Sequence, residues 1–174
     1  MIRVRRAVPR DAAALTAVQT ASWRAAFRGL MPDRYLSHLN AEAIREWWRV
    51  VLAGPGWPRS GTLAAEDDGR VVGYARFQPA DDADGDARSV GMIDAFATLP
   101  EVWGTGAGRT LMAAVVAALA EAGYAEATAW VFERDARARS FYRGQGWSED
   151  GARDGSGDGF DLTIVRHRRP LPAR

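Results

Sequence analysis

The chain has 174 residues, 47% of them hydrophobic, enough for one domain with a sizeable core. Its 23 basic side chains, all arginine, stand against 22 acids for a formal charge of +1, so no net field draws it to nucleic acid or to a membrane surface. The absence of cysteine excludes disulfides, thiolate metal sites and a cysteine nucleophile, and with no signal-peptide core or bilayer-length apolar run a cytoplasmic, bacterial protein is expected.

Ile2 and Val4 alternate with Arg3 and Arg5 as a short opening strand. Pro9 and Asp11 then start a helix, the proline fitting the first turn and the carboxylate its positive end. Leu15, Val18, Ser22 and Ala25 line one face of it to about Phe27, and Gly29 stops it. Pro32 opens a short helical turn holding Tyr35 and Leu36, and the helical period returns over 41–52. Trp23, Phe27, Met31 and Tyr35 cluster at the break between these helices and read as core or helix–helix packing, with Arg24 and Arg28 beside them. Residues 54–61 are a loop by composition, and 63–66 and 71–77 form a hairpin turned by Asp67, Asp68, Gly69 and Arg70. In the acidic connection that follows, Asp82, Asp84 and Asp86 have the first three spacings of a calcium loop. Ala87 and Ile93 stand where that loop needs glycine and glutamate, so the segment reads as a solvated turn.

The next stretch organises the rest. A strand places Ile93, Ala95 and Ala97 on one side and Met92, Asp94, Phe96 and Thr98 on the other. Pro100 ends it, Gly104, Gly106 and Gly108 follow at every second position, and a long apolar helix starts near Arg109. The first turn of a helix leaves about four N–H groups unpaired at the positive end of the dipole, and glycines let the backbone close on a phosphate. The spacing misses the dinucleotide pattern GxGxxG by one residue, and there is no lysine for a phosphate loop. Asp94, alone in an apolar run, reads either as a proton acceptor or as a buried carboxylate that caps or pairs with arginine. Beyond the helix, 125–132 is a strand, 136–143 a short helix, and Trp147 begins another strand. Residues 150–159 are too glycine-rich and polar for an element, and Phe160, Leu162, Ile164 and Arg166 form a closing strand.

Residues 99–111, LPEVWGTGAGRTL, resemble the cofactor signature of the GNAT superfamily of acyl-coenzyme A-dependent N-acyltransferases, Q/R-x-x-G-x-G/A after a strand and a proline, with Trp103 at the usual Gln or Arg. Residues 129–147, AWVFERDARARSFYRGQGW, resemble the family's N-x-x-A-x-x-x-Y-x-x-x-G-F/W run at the expected separation. The resemblance implies an α/β fold (α+β in stricter schemes) over 1–174, with a mixed, mostly antiparallel sheet of six to seven strands and helices on both faces. It implies metal-free transfer of an acetyl group from acetyl-CoA to a primary amine of a small molecule or peptide, by direct attack in a ternary complex. A relative without turnover would instead be a coenzyme A-binding sensor or structural protein. Homodimers are a family habit; nucleic acid and membrane are not implied.

The same resemblance assigns residues. Backbone groups of Phe96, Ala97 and Thr98 would bond the pantetheine arm, and amides of Trp103, Gly104, Gly106, Ala107 and Gly108 the pyrophosphate, with Arg109 and Thr110 at the helix start. Asp135 stands at the family's asparagine and would accept from a pantetheine amide. Tyr142 would protonate the departing thiolate while Phe141 faces the core. Asp94 would draw the amine's proton directly or through water, and Trp23, Phe27 and Tyr35 would wall the acceptor; the glycine-rich, polar composition of 150–159, apart from the resemblance, suggests a mobile lid beside it. Arg137, Arg139 and Arg143 form a strip that reaches the nucleotide phosphates or is solvated.

Overall fold

The computed structural model describes residues 1–155 and 162–172. Seven strands, β1 (Arg3–Arg6), β2 (Gly61–Asp67), β3 (Arg70–Pro79), β4 (Val90–Thr98), β5 (Glu126–Phe132), β6 (Ser148–Gly155) and β7 (Thr163–Pro170), form one sheet in the order β1-β2-β3-β4-β5-β7-β6. Every pairing is antiparallel except that of β4 with β5. Parallel neighbours need a crossover, and the helix α4 supplies it in the numbering α1 (Ala12–Ala26), α2 (Asp33–Ser37), α3 (Ala41–Ala53), α4 (Ala107–Glu121) and α5 (Ala136–Gly144). This is the mixed, mostly antiparallel α/β architecture expected, with helices on both faces.

Two neighbours on β3 mark the faces. A Cβ on Gly73 would collide with Thr98 and reach Leu111 of α4, so α4 lies over that side. Tyr74 meets Trp48 of α3 at 4.9 Å between ring centroids, so α3, with α1 packed against it, covers the other. Leu15, Val18, Trp48, Leu111, Met112 and Val115 are buried there and make the core continuous through the sheet. Among the described residues no helix is long and apolar enough to cross a membrane.

One sequence expectation needs correction and another needs refinement. Residues 150–155, read as too flexible for an element, belong to β6, where Arg153, Asp154 and Gly155 pair with Val165, Ile164 and Thr163. β6 is an edge strand exposed along nearly its whole length, so polar composition suits it, and Gly151 at φ 92° takes up a slip in its register. The remainder of the expected lid, 156–159, and Phe160 at the expected start of the closing strand lie outside the described residues. The acidic connection is the exposed turn expected, but two of its carboxylates anchor it to the sheet. Asp82 accepts from Thr128 Oγ1 at 3.0 Å and Trp130 Nε1 at 2.7 Å, and Asp84 takes both terminal nitrogens of Arg166 at 2.6 and 2.7 Å. Arg166 is only 4% exposed on β7, and a buried guanidinium requires carboxylate partners.

Candidate functional site

β4 and β5 stay paired only from Val90–Glu126 to Ile93–Ala129. Past that point each strand keeps its outer neighbour, β3 or β7, while the inner edges, 94–98 and 130–132, part company. The result is a slot in the middle of the sheet, bordered by backbone groups without ladder partners. At its apex Asp94 forms a bulge, because Ile93 lies opposite Phe77 and Ala95 opposite Arg76. The bulge overturns the simple alternation read from sequence. Ile93, two residues on from Gly91 beneath Leu119, shares the α4 side with Phe96, which stacks on Phe141, and with Thr98. Ala95 and Ala97 fall on the α3 side, where Asp94 forms an ion pair with Arg76. Those two side chains are 20% and 18% exposed, and the Arg76 guanidinium lies 5.7 Å from the Trp47 ring centroid. Asp94 is therefore an arginine-paired carboxylate in this structure.

The α4 end of the slot leads into the glycine turn. Gly104 and Gly106 have φ of 79° and 98°, a region L side chains avoid, and a Cβ on either would meet nothing within 4 Å. They give the turn its shape and leave the space above it open. Among the described residues the amides of Gly104, Gly106, Ala107, Gly108 and Arg109 donate to no backbone carbonyl outside the helix, whose own ladder starts later. The Trp103 amide, expected among the anion donors, is already spent on the Pro100 carbonyl at 3.1 Å. Its indole N–H donates to the Thr98 carbonyl at 3.0 Å, and its ring carries the Arg137 guanidinium 3.4 Å from the centroid. Thr110 Oγ1 donates back to the Gly106 carbonyl at 3.2 Å, and Arg109 is exposed. Free amides at a helix start, open space and one guanidinium fit a diphosphate.

α5 starts where Asp135 accepts from the Ala138 amide at 2.9 Å, so that 8%-exposed carboxylate is engaged as a helix cap. The helix carries Tyr142 beneath the slot, with ring centroids 6.4 Å from Phe96, 5.5 Å from Trp147 and 5.5 Å from His167. Contrary to expectation Tyr142 is the more deeply buried of the aromatic pair, while Phe141 is half-buried and roofs Gly108. Burial pushes the Tyr142 phenol well above its usual pKa. His167 is fully buried, and neither ring nitrogen has a hydrogen-bond partner among the described residues. Its Nε2 stands 3.7 Å from Glu149, and burial lowers its pKa. The basic strip divides: Arg139 is occupied by Glu149 and the Glu133 carbonyl, and Arg137 by Trp103.

On the α3 side, Trp23 meets Phe27 at 5.5 Å and Phe27 meets Phe132 of β5 at 5.1 Å, so both stand at the open end of the slot. Tyr35 lies further out and is 40% exposed, and Arg24 ties α2 to α1 through the Leu36 carbonyl at 3.1 Å. Sequence reading passed over Arg76 and His167. Only the second left a local trace: Val165 and His167 alternate with Ile164 and Arg166, which puts the histidine on the core face of β7.

The profile of the family described as Acetyltransferase (GNAT) family matches residues 20–147. An uncharacterized N-acetyltransferase of Mycobacterium tuberculosis is 35% identical over 122 residues, 70% of this chain and 72% of its own. The uncharacterized N-acetyltransferase YuaI of Bacillus subtilis is 27% identical over 140 residues, 78% and 74% of the two chains. Among solved structures, the PaiA N-acetyltransferase of Thermoplasma acidophilum in complex with coenzyme A superposes with a TM-score of 0.79 at 17% identity, over 98% of this chain and 99% of that one. YncA of Salmonella typhimurium, solved with its cofactor acetyl-CoA, gives 0.73 at 20% identity, over 100% and 96%. At such identities the superpositions show the fold.

Proposed function

The chain belongs to the GNAT acetyltransferase family, and from that premise we propose that it transfers the acetyl group of acetyl-CoA to a primary amine of a small molecule or peptide, by direct attack in a ternary complex. The observation that carries this reading is the slot between β4 and β5 running into a glycine turn where the amides of Gly104, Gly106, Ala107, Gly108 and Arg109 are free among the described residues. Phe96, Ala97 and Thr98 would hold the pantetheine arm along the slot. Gly104, Gly106, Ala107, Gly108 and Arg109 would hold the pyrophosphate, with Arg137 on Trp103 as its countercharge and Thr110 fixing the helix start.

When bound, acetyl-CoA supplies a thioester carbonyl open to attack and a thiolate leaving group. The residues of this chain supply the proton chemistry. An alkyl ammonium with a pKa near 10 is only about a thousandth neutral at pH 7, so producing the nucleophile costs roughly 4 kcal/mol. Asp94, directed to the α3 side at the apex, is the group to accept that proton, and Trp23, Phe27 and Tyr35 wall the approach. Tyr142, from the α4 side, is the group to return one to sulfur. Its raised pKa keeps the phenol protonated until negative charge develops beside it, and the same burial strengthens a sulfur anion's hold on a proton.

The Arg76 ion pair favours a second reading, a coenzyme A binder without turnover, because a carboxylate held by a guanidinium is a weak base. A thiol-release assay with acetyl-CoA and an amine panel separates the two. Amine-dependent release supports the transferase; tight coenzyme binding with no release for any amine selects the binder.

A further inference from the structure

A cavity of about 300 Å³ opens on the α3 side, between the last turn of α3, the 54–61 loop and the strands β1 to β3. Its charged lining consists of Arg6 and Arg76, with no carboxylate. Arg6 rests 4.9 Å from the Trp57 ring centroid and, among the described residues, has no acidic partner. Thr62 shares the wall, is 3% exposed, and its hydroxyl has no hydrogen-bond partner among the described residues. Val51, Leu52 and the Trp57 ring supply apolar surface. The carboxy-terminal end of α3 also borders the space, but its partial negative charge of about half a unit is outweighed by two full guanidinium charges.

An orphaned buried hydroxyl is costly unless something bonds to it, and a compact anion with an apolar body would accept from Thr62 while meeting the exposed, acid-free guanidinium of Arg6. The volume is at the lower end for small-molecule sites. Arg76 connects the cavity to the chemistry, since the guanidinium lining it is the one that holds Asp94.

We propose that the acceptor is a small amine that also carries a carboxylate or an equivalent anion, held in this cavity by Arg6, Arg76 and Thr62. The proposal rests on the transferase reading given above. The acceptor's anion draws Arg76 away from Asp94, which becomes basic enough to take the ammonium proton. The nitrogen lone pair then bonds to the acyl carbon, the carbon–sulfur bond breaks, and Tyr142 gives its proton to sulfur. The second nitrogen proton, lost as the amide forms, restores the phenol, and Asp94 releases its own to solvent. One proton is produced per turnover, and an acceptor without the anion leaves Asp94 locked.

Matched amines test this: 4-aminobutanoate against butylamine, and phenylalanine against phenethylamine, across a series of chain lengths with acetyl-CoA. For at least one pair the carboxylate-bearing member has a kcat/KM at least about tenfold higher. Arg6→Gln, at an exposed site, reduces that ratio towards one through the acceptor KM and leaves the KM for acetyl-CoA unchanged. Thr62→Val, which keeps the shape, raises the acceptor KM by a smaller factor. Equal kcat/KM within every pair, or a ratio untouched by Arg6→Gln, overturns the proposal and leaves the transferase standing. No release with any amine while acetyl-CoA binds overturns both.

Discussion

Tyr142 and Asp94 approach the slot from opposite sides of one sheet, and their surroundings push them towards opposite roles. The phenol, packed among Phe96, Trp147 and His167, has its pKa raised by burial; the carboxylate, at a bulge, is ion-paired with Arg76. Separation by the sheet would let the proposed acid and the proposed base coexist without neutralising each other. Replacing the tyrosine isolates the acid. Tyr142→Phe retains the ring and its packing, so it should lower kcat by about 10²-fold while the KM for acetyl-CoA and the thermal midpoint stay within error. Steady-state kinetics decide it, and a wild-type kcat would mean that solvent protonates the sulfur.

β7 carries the two side chains on which the second half of the sheet depends, one on each face. Arg166 gathers Asp84, Asp150 at 2.7 Å and Asp82 at 3.5 Å, fastening the 81–86 connection and β6 to the strand between them. Arg166→Met should lower the free energy of unfolding by about 3 kcal/mol in urea titrations, because it leaves the nearly buried Asp82 without its counter-charge. A loss below half of that would mean water replaces the guanidinium. His167 on the other face gives a pH dependence of known sign. Burial lowers its pKa, Arg139 and Arg143 push the same way, and Glu149 opposes them. Between the ordinary value near 6.5 and the lowered one, the unfolded chain binds a proton that the folded chain refuses, so stability falls as pH drops below about 6.5. A separate loss comes lower, as pH falls through Asp84's pKa of about 2, where Arg166 holds it. Acidification from pH 7 to 5 should lower the thermal midpoint of wild type relative to that of His167→Phe, and parallel curves would rule the histidine out. Neither side chain's role was legible in advance. The glycine turn and α4 were readable because proline, glycine and the helical period act within a few residues of one another. Arg166 and Asp84, 82 positions apart, meet only through register, and the Asp94 bulge depends on how β4 meets β3. β6 stayed hidden because an exposed edge strand needs no apolar alternation.

At the scale of the molecule the sheet is two half-sheets, β1 to β4 and β5 to β7, joined along a four-residue parallel ladder. Beyond that ladder Phe27 against Phe132, and Phe96 against Phe141, do the bridging. A ligand laid in the slot and anchored at the glycine turn would connect the halves where the ladder fails, so its binding energy should register as resistance of the whole fold to unfolding. At one hundred times its dissociation constant coenzyme A should add about 2.7 kcal/mol. For a chain of this size that amounts to a thermal shift of roughly 5–10 °C. Hydrogen exchange then tells the anchor from the arm. Coenzyme A should slow exchange at 94–98 and at 104–109 together, whereas pantetheine, which has no diphosphate, should slow only the first group. Gly106→Trp puts a side chain into the open space above the turn and strains a φ of 98°, so it should abolish the coenzyme A shift yet leave the pantetheine pattern intact. If coenzyme A protects 94–98 but leaves 104–109 exchanging freely, the diphosphate binds elsewhere and the glycine turn is only a bend between a strand and a helix.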